Sequence, residues 1–132
     1  MSGAAEAVQA AVVAALGGHA PVAGVVSGIY EAAPARAAWP YVVIDDGSTS
    51  DWSHKSGRGR EHRIGLIIWD DGESPARLHR LMAEVEIAIE GIGAALDGHR
   101  LVSLAFLGSR MVRDADGPWA GFVRYRARTL EN

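Results

Sequence analysis

A chain of 132 residues, 48% of them hydrophobic and 22% charged, has the size and composition of one globular domain, which we assign to residues 1–132. The absence of cysteine excludes disulfides and thiolate metal sites, and a net charge of −3 provides no overall basic field for nucleic acid. No uninterrupted apolar run reaches the roughly 18 residues of a membrane span, so we expect no membrane partner.

The first predicted element is an alanine-rich helix that ends at Gly17 and Gly18. Its apolar residues recur at helical spacing and form one stripe, which consists of Val8, Ala11, Val12, Ala15 and Leu16. Residues 25–30, VVSGIY, can form a short strand. Residues 31–40 read as an irregular linker, because Pro34 and Pro40 disfavour helix in the residues before them.

Two strong strand signals follow, at residues 41–45 and at residues 62–69. The second has apolar residues on both faces, which predicts a central strand. Residues 47–60, between them, are polar and rich in glycine, and the segment is longer than a hairpin turn requires. We therefore predict a long loop, a feature that in a compact domain is usually functional or disordered.

The second helix is predicted to start at Ser74 and Pro75, with serine as the N-cap and proline at the first helical position. Residues 99–114 then predict a long strand bent at Gly108, and residues 119–130 predict a final strand. This order of elements predicts an α+β fold. We expect a mostly antiparallel sheet of four to five strands packed against two helices, with the long loop between two strands.

Two acidic pairs, Asp45-Asp46 and Asp70-Asp71, are the candidates for a metal site. One interpretation is Mg²⁺ binding in a metal-dependent nuclease, because carboxylate oxygens suit this ion. The favoured interpretation is two strand-ending turns, since each pair is followed by glycine. The five histidines lack zinc-binding spacing, and no serine nucleophile motif or phosphate-binding loop is present. We therefore predict no catalytic residue, no metal, no cofactor and no enzymatic activity.

Residues 123–128, VRYRAR, alternate so that Arg124, Arg126 and Arg128 lie on one strand face. The favoured interpretation is a solvated face whose arginines pair with cross-strand acids such as Asp114. A nucleic-acid-binding face is less favoured because the chain is acidic overall. A subunit interface is a third interpretation, since arginine is well tolerated at interfaces.

Trp52 lies in the middle of the predicted polar loop, where we expect no local core to hold it. A tryptophan flanked by serine and aspartate, with arginine nearby, has the composition of a binding hot spot. The residues that we predict to contact a partner protein through this loop are Asp51, Trp52, His54, Lys55, Arg58 and Arg60.

Read in order, these segments resemble the tail completion, or tail terminator, proteins of long-tailed bacteriophages and gene transfer agents. The resemblance spans nearly the whole chain and rests on the ordered set rather than on one motif. The set comprises the alanine-rich helix, GIY with its proline-bearing linker, WPYVVI, the polar loop before IGLIIWD, the helix from Ser74, and GHRLVSLAFLGSRMVRDADGPWAGFVRYRAR. The first helix departs from the family pattern because it is less bulky.

The resemblance implies a structural virion protein that assembles as a ring, typically hexameric, at the head-proximal end of the tail tube. Such a ring stops tube growth and joins the tube to the head–tail connector, and DNA passes through its lumen without sequence-specific binding. It implies a location in the neck or tail of a virion assembled in the bacterial cytoplasm. The predicted loop then contacts a neighbouring subunit or the tube protein, and the arginine stripe forms an interface or lumen face.

Other functions are retained as alternatives. The first is a head–tail adaptor or another ring of the neck or tube. Less favoured are a metal-dependent nuclease and a nucleic-acid-binding module.

Overall fold

The computed structural model describes residues 3–113 and 115–132, within which three helices and six strands are found. The helices are α1 (Ala4–Gly17), α2 (Ala20–Ala23) and α3 (Ala76–Glu90). The strands are β1 (Ile29–Tyr30), β2 (Tyr41–Asp51), β3 (Gly59–Asp70), β4 (Ala95–Leu96), β5 (His99–Arg113) and β6 (Trp119–Glu131). None of the described helices has the length and apolarity needed to cross a bilayer.

The strands form one sheet in the order β1-β2-β3-β6-β5-β4. The four long strands pair antiparallel, and β1 pairs parallel with β2. The predicted α+β class and its mostly antiparallel sheet are confirmed, but the structure has more strands and one more helix than we predicted. The two-residue strand β4 and the four-residue helix α2 are too short to produce a periodic sequence pattern.

The predicted long loop at residues 47–60 is wrong. Half of this segment, residues 47–51 and 59–60, continues β2 and β3, which remain paired as far as Asp51 and Arg60 after a bulge between Asp45 and Ser48. A further backbone bridge joins His54 to Gly57, so that the turn itself contains only two residues. The extension was not recognised as strand because residues 46–51 are polar, and strand prediction depends on alternating apolar side chains.

The short strand predicted at residues 25–30 contains only the two residues of β1, whereas the predicted boundaries of α3, β5 and β6 agree closely with the structure. Strand β5 ends at Arg113 and is bent at Gly108, where the register shifts and φ is 154°; residue 114, the last of the predicted strand, lies outside the described residues. Helix α3 begins one residue later than expected, with Pro75 at the N-cap position. The Ser74 hydroxyl accepts a hydrogen bond from the Ala76 N–H at 3.4 Å.

Helices α1 and α3 cover one face of the sheet, and the core lies between the two layers. Leu78, Val85 and Ile89 of α3 are fully buried, as are Val123 and Tyr125 of β6. Burial of each such side chain contributes about 2 kcal/mol to folding. Further along β6, the absence of a side chain at Gly121 allows α3 to approach, since a Cβ atom there would lie 2.7 Å from Met82 Sδ.

The opposite face of the sheet, which we call the outer face, is not covered by any of the three described helices. The strand register and the alternation of side chains place on it, among others, Asp45, Ser48, Ser50, Glu61, Arg63, Gly65, Arg100, Ser103, Ala105, Arg110, Phe122, Arg124, Arg126 and Arg128. The alternation predicted for residues 123–128 is therefore confirmed, with Val123, Tyr125 and Ala127 buried on the helix-covered side.

Candidate assembly surface

The predicted contact segment around Trp52 is an ordered hairpin tip, which we define as residues 52–58. The Trp52 N–H donates to the Gly59 carbonyl and the His54 N–H donates to the Gly57 carbonyl, each at 2.9 Å. The Glu131 N–H donates to the Arg58 carbonyl at 2.9 Å, which attaches the hairpin tip to the end of β6. The hairpin tip is thus held by its own strands and by β6 within a single chain.

Trp52 itself is half-buried, and although it is not part of the hydrophobic core, two neighbouring side chains contact it. The His54 ring packs edge-on against it with the ring centres 4.4 Å apart. The Arg128 guanidinium lies 5.2 Å from the centre of the Trp52 ring, which is within the range of a cation–π interaction. The contact with β6 was not predicted because Arg128 is distant in sequence.

Asp51 and Arg60 form an exposed ion pair at the base of the hairpin tip, with 3.2 Å between Arg60 Nη1 and Asp51 Oδ1. The Ser53 hydroxyl also donates to Asp51 at 2.7 Å, and this hydrogen bond is the main reason that the pKa of Asp51 is lowered. Four of the six predicted contact residues, Asp51, Trp52, His54 and Arg60, therefore have side-chain partners within the chain. His54, Lys55 and Arg58 are exposed on the hairpin tip.

The arginine stripe is organised by one acid on the neighbouring strand, Glu61. Arg128 Nε lies 2.9 Å from Glu61 Oε1 and Arg126 Nε lies 4.0 Å from the same oxygen, while Arg63 lies 3.5 Å from Oε2. The hydrogen bond from Arg128 is the main cause of the lowered pKa of Glu61. The predicted pairing with a cross-strand acid is therefore present, but with Glu61; Asp114, the acid that we named, lies outside the described residues.

Positive charge on the outer face is only partly neutralised. Arg126 stands directly opposite Arg63 in the register, so two like charges face each other across the β3–β6 pair. The buried atoms Arg126 Nε and Ser103 Oγ have no hydrogen-bond partner within the described chain. Arg110 lies over the Phe122 ring, with its guanidinium carbon 4.5 Å from the ring centre. Sequence reasoning missed Glu61 and Arg63 as site residues because it ended the polar loop at residue 60.

Strand β5 presents a partly unpaired and apolar edge. The edge of β5 that points away from β6 pairs with β4 at His99 and Arg100, and the Leu101 N–H donates to the Ala94 carbonyl. Beyond Leu101 no described strand pairs with this edge. Large apolar side chains are exposed along this strand, namely Val102, Phe106, Leu107 and Val112. An unpaired edge of this kind is a template for contact with another chain. The nearly continuous apolar run LVSLAFL was the sequence signal for it.

The acidic pair at the end of β3 has a structural role that the geometry explains. Asp70 is fully buried; its carboxylate accepts hydrogen bonds from the Arg77 guanidinium and, at 3.3 Å, from the Gly72 N–H. Burial is the largest single influence on the pKa of Asp70 and would raise it, but the hydrogen bonds and positive charge of Arg77, together with the backbone N–H groups of Gly72 and Asp71, outweigh burial and the pKa is lowered. Asp70 therefore attaches β3 to α3 and forms the strand-ending turn that we favoured.

The described residues contain no group of three or more His, Asp or Glu side chains placed to hold a metal ion. The second predicted pair, Asp45-Asp46, lies at the bulge in β2 and does not end the strand, so the turn predicted there is wrong; the side chain of Asp46 falls outside the described part of the structure. The described residues therefore provide no set of metal ligands that would support the nuclease alternative.

Comparisons with known proteins give a consistent result. Residues 10–130 match the family model described as "Tail completion protein gp17". A chain in the virion of a native gene transfer agent particle is 27% identical, with a TM-score of 0.84, and the match covers 98% of this chain and 99% of that chain. The gp17 protein of bacteriophage SPP1 has the same fold, with 23% identity, a TM-score of 0.66, and coverage of 98% and 91%. No curated protein matches significantly.

Proposed function

The chain belongs to the tail completion protein gp17 family, and from this premise we propose that it forms a ring that closes the head-proximal end of a tail tube. The resemblance drawn from the ordered sequence segments is confirmed by the family match. As a member of this family the chain is a structural virion protein and not an enzyme. Its role is therefore to be sought in contacts between proteins rather than in chemistry.

The proposed ring is hexameric, stops growth of the tube and joins it to the head–tail connector. DNA passes through its lumen without sequence-specific contacts, and the ring is built in the cytoplasm of the bacterial host. The observation that carries this proposal is the family match over residues 10–130. The gene transfer agent chain, which is almost completely covered at 27% identity, supports it.

A ring requires each subunit to carry two different and complementary surfaces, because its contacts run head to tail. Three features supply candidate surfaces on this chain: the exposed hairpin tip, the unpaired apolar edge of β5, and the outer face. We assign the hairpin tip, with its exposed cationic residues Lys55 and Arg58, to contact with the tube protein or a neighbouring subunit. Asp51, Trp52 and Arg60 hold the hairpin tip in the conformation that presents them.

The proposed function is tested by producing the particle without this chain and then restoring the chain from a plasmid. We expect tubes of uneven length and heads without tails in its absence, and joined particles of uniform tail length after restoration. Electron microscopy of negatively stained particles measures both properties. Tubes of normal length that fail to join heads would instead assign the chain to the head–tail adaptor role, and unaffected particles would contradict both roles.

The role of the hairpin tip is tested with the double variant Lys55→Glu and Arg58→Glu in the same assay. Because both side chains are exposed, we expect the variant to fold normally and to yield about tenfold fewer joined particles. Arg36→Glu, a charge reversal at an exposed position of the linker, is the matched control and should yield normal particles. Normal numbers of joined particles with the double variant would exclude the hairpin tip from assembly.

A further inference from the structure

Charge is distributed unevenly between the two sides of the sheet. Six of the thirteen Lys and Arg residues lie on the outer face, and the described acidic side chains there are Asp45 and Glu61, although the chain has sixteen acidic residues. Arg110 and Arg124 form no salt bridge within the described part of the chain. The outer face thus carries more positive charge than it neutralises, on a chain that is negative overall.

The opposite side of the molecule has the reverse character at the C-terminal half of α3. Residues 81–97 contain four acidic residues, Glu84, Glu86, Glu90 and Asp97, and no lysine or arginine. Between two of these acids lies Ile87, whose side chain is 57% exposed, more than any other large hydrophobic residue of the described chain. An exposed isoleucine between glutamates has the character of an interface anchor with a charged rim.

The outer face offers concave surface of matching chemistry. A cavity of about 350 Å³ is lined by Ser48, Arg63, Gly65, Leu107 and Arg124, together with neighbouring residues. A second cavity, of about 210 Å³, lies on the other side of Arg124 and is lined in part by Arg110 and Phe122. Leu107 is 44% exposed. A cavity that contains Leu107 and is bordered by two arginines is complementary to an isoleucine bordered by glutamates.

We propose that α3 of one copy docks on the outer face of the next copy, with Ile87 in the cavity beside Arg124 and Glu86 paired with Arg124. The two surfaces lie on opposite sides of the sheet, so the contact is head to tail and closes into a ring if the rotation between copies permits. Arg126 Nε and Ser103 Oγ, which have no hydrogen-bond partner within the described chain, lie in the outer face that would be covered. This inference rests on the proposed ring for its biological setting.

The experiment exchanges the charges across the proposed contact. Arg124→Glu and Glu86→Arg are each expected to lower the yield of joined particles by about tenfold or more, because each places like charges against each other. In an equimolar mixture of the two single variants, an alternating ring contains only oppositely charged contacts, so the mixture should restore joining. The double variant should restore it as well.

Controls separate this contact from effects on folding. Arg36→Glu is the matched charge reversal and should leave joining unchanged. The thermal unfolding midpoint of each purified variant should stay close to that of the wild type, because neither Arg124 nor Glu86 forms a salt bridge within the described chain.

The possible failures are distinguishable. If the wild type restores joined particles and the single variants do so equally well, the docking contact is wrong while the proposed function stands. If the single variants fail and neither the mixture nor the double variant recovers, the two residues do not face each other and the proposal is overturned. If Arg124→Glu weakens salt-dependent binding of duplex DNA and Glu86→Arg is without effect on joining, the outer face holds nucleic acid and not a second copy.

Discussion

The guanidinium of Arg128 contacts two groups that lie far apart in the sequence, Trp52 and Glu61. It lies 5.2 Å from the centre of the Trp52 ring, and its Nε donates to Glu61 Oε1 at 2.9 Å. One side chain of β6 therefore links the hairpin tip to the arginine stripe, and the two candidate surfaces form one continuous region. A substitution in the hairpin tip is therefore expected to alter the arginine stripe, and a substitution in the stripe is expected to alter the hairpin tip.

The Trp52–Arg128 contact predicts a measurable coupling. Trp52→Ala and Arg128→Ala should each destabilise the fold, and a double-mutant cycle in urea should give a coupling free energy of about 0.5–1 kcal/mol. Lys55→Ala paired with Arg128→Ala is the control cycle and should be additive, since Lys55 is exposed in the turn. Additivity of the Trp52 and Arg128 substitutions would show that the contact contributes nothing to stability.

Two glycines near the hairpin tip should respond differently to alanine. A Cβ atom at Gly59 would lie 2.1 Å from the Trp52 carbonyl oxygen, whereas at Gly57 the nearest atom, Leu130 Cδ2, is 3.8 Å away. Gly59→Ala should lower the free energy of unfolding by about 1–3 kcal/mol, and Gly57→Ala should change it by about 0.5 kcal/mol or less. Urea unfolding measures both, and equal effects would contradict the close approach of the backbone at Gly59.

The ion pair between Asp70 and Arg77 predicts a pH-dependent contribution to stability. Arg77 is 40% exposed and therefore partly screened by water, so we expect Asp70→Asn to lower the free energy of unfolding at pH 7 by about 2 kcal/mol, less than for a fully buried pair. Asp71→Asn, at a carboxylate that is 53% exposed, is the control and should have little effect.

The sign of the pH effect follows from the lowered pKa of Asp70. The wild type keeps this stabilisation above the ordinary carboxyl pKa of about 3.9 and loses it as the pH falls through the lower pKa of the folded state. The difference between wild type and Asp70→Asn should therefore shrink between pH 5 and pH 2 in urea unfolding experiments. A constant difference over this range would contradict a charged Asp70 in the folded protein.

His62 predicts a second pH effect, at higher pH. Its buried ring contacts the hydroxyls of Thr49 and Thr129, each at 3.0 Å, and burial, followed by repulsion from His99 and Arg60, lowers its pKa. As the pH decreases below about 6.5, His62 takes up a proton in the unfolded chain at a higher pH than in the folded chain. The free energy of unfolding should therefore fall as the pH decreases from this value. His62→Gln should flatten the dependence and exposed His79→Gln should not; an unchanged slope with His62→Gln would assign the effect to another group.

Local sequence patterns predicted most of the elements but not their full extent. The helical period of Leu78, Val85 and Ile89 and the alternation of Val123, Tyr125 and Ala127 arise from neighbours in the chain, and both elements were placed correctly. The β2–β3 extension lacks an apolar alternation. Its polar residues are instead kept in strand by cross-strand hydrogen bonds, such as the one between Thr49 and His62. A short-range pattern contains no information about such a partner.

For the candidate surfaces, too, some features follow from the sequence and others only from tertiary contacts. The sequence by itself determined the mostly antiparallel α+β class, the arginine stripe and the family, because period, charge and segment order are properties of the linear chain. The tertiary structure alone decided that Glu61 gathers three arginines and that Arg128 supports Trp52. It also decided that the acidic part of α3 and the arginine-rich outer face lie on opposite sides of the sheet. The physical reason is that these contacts depend on strand register and on the packing of α3, which bring together residues far apart in the chain.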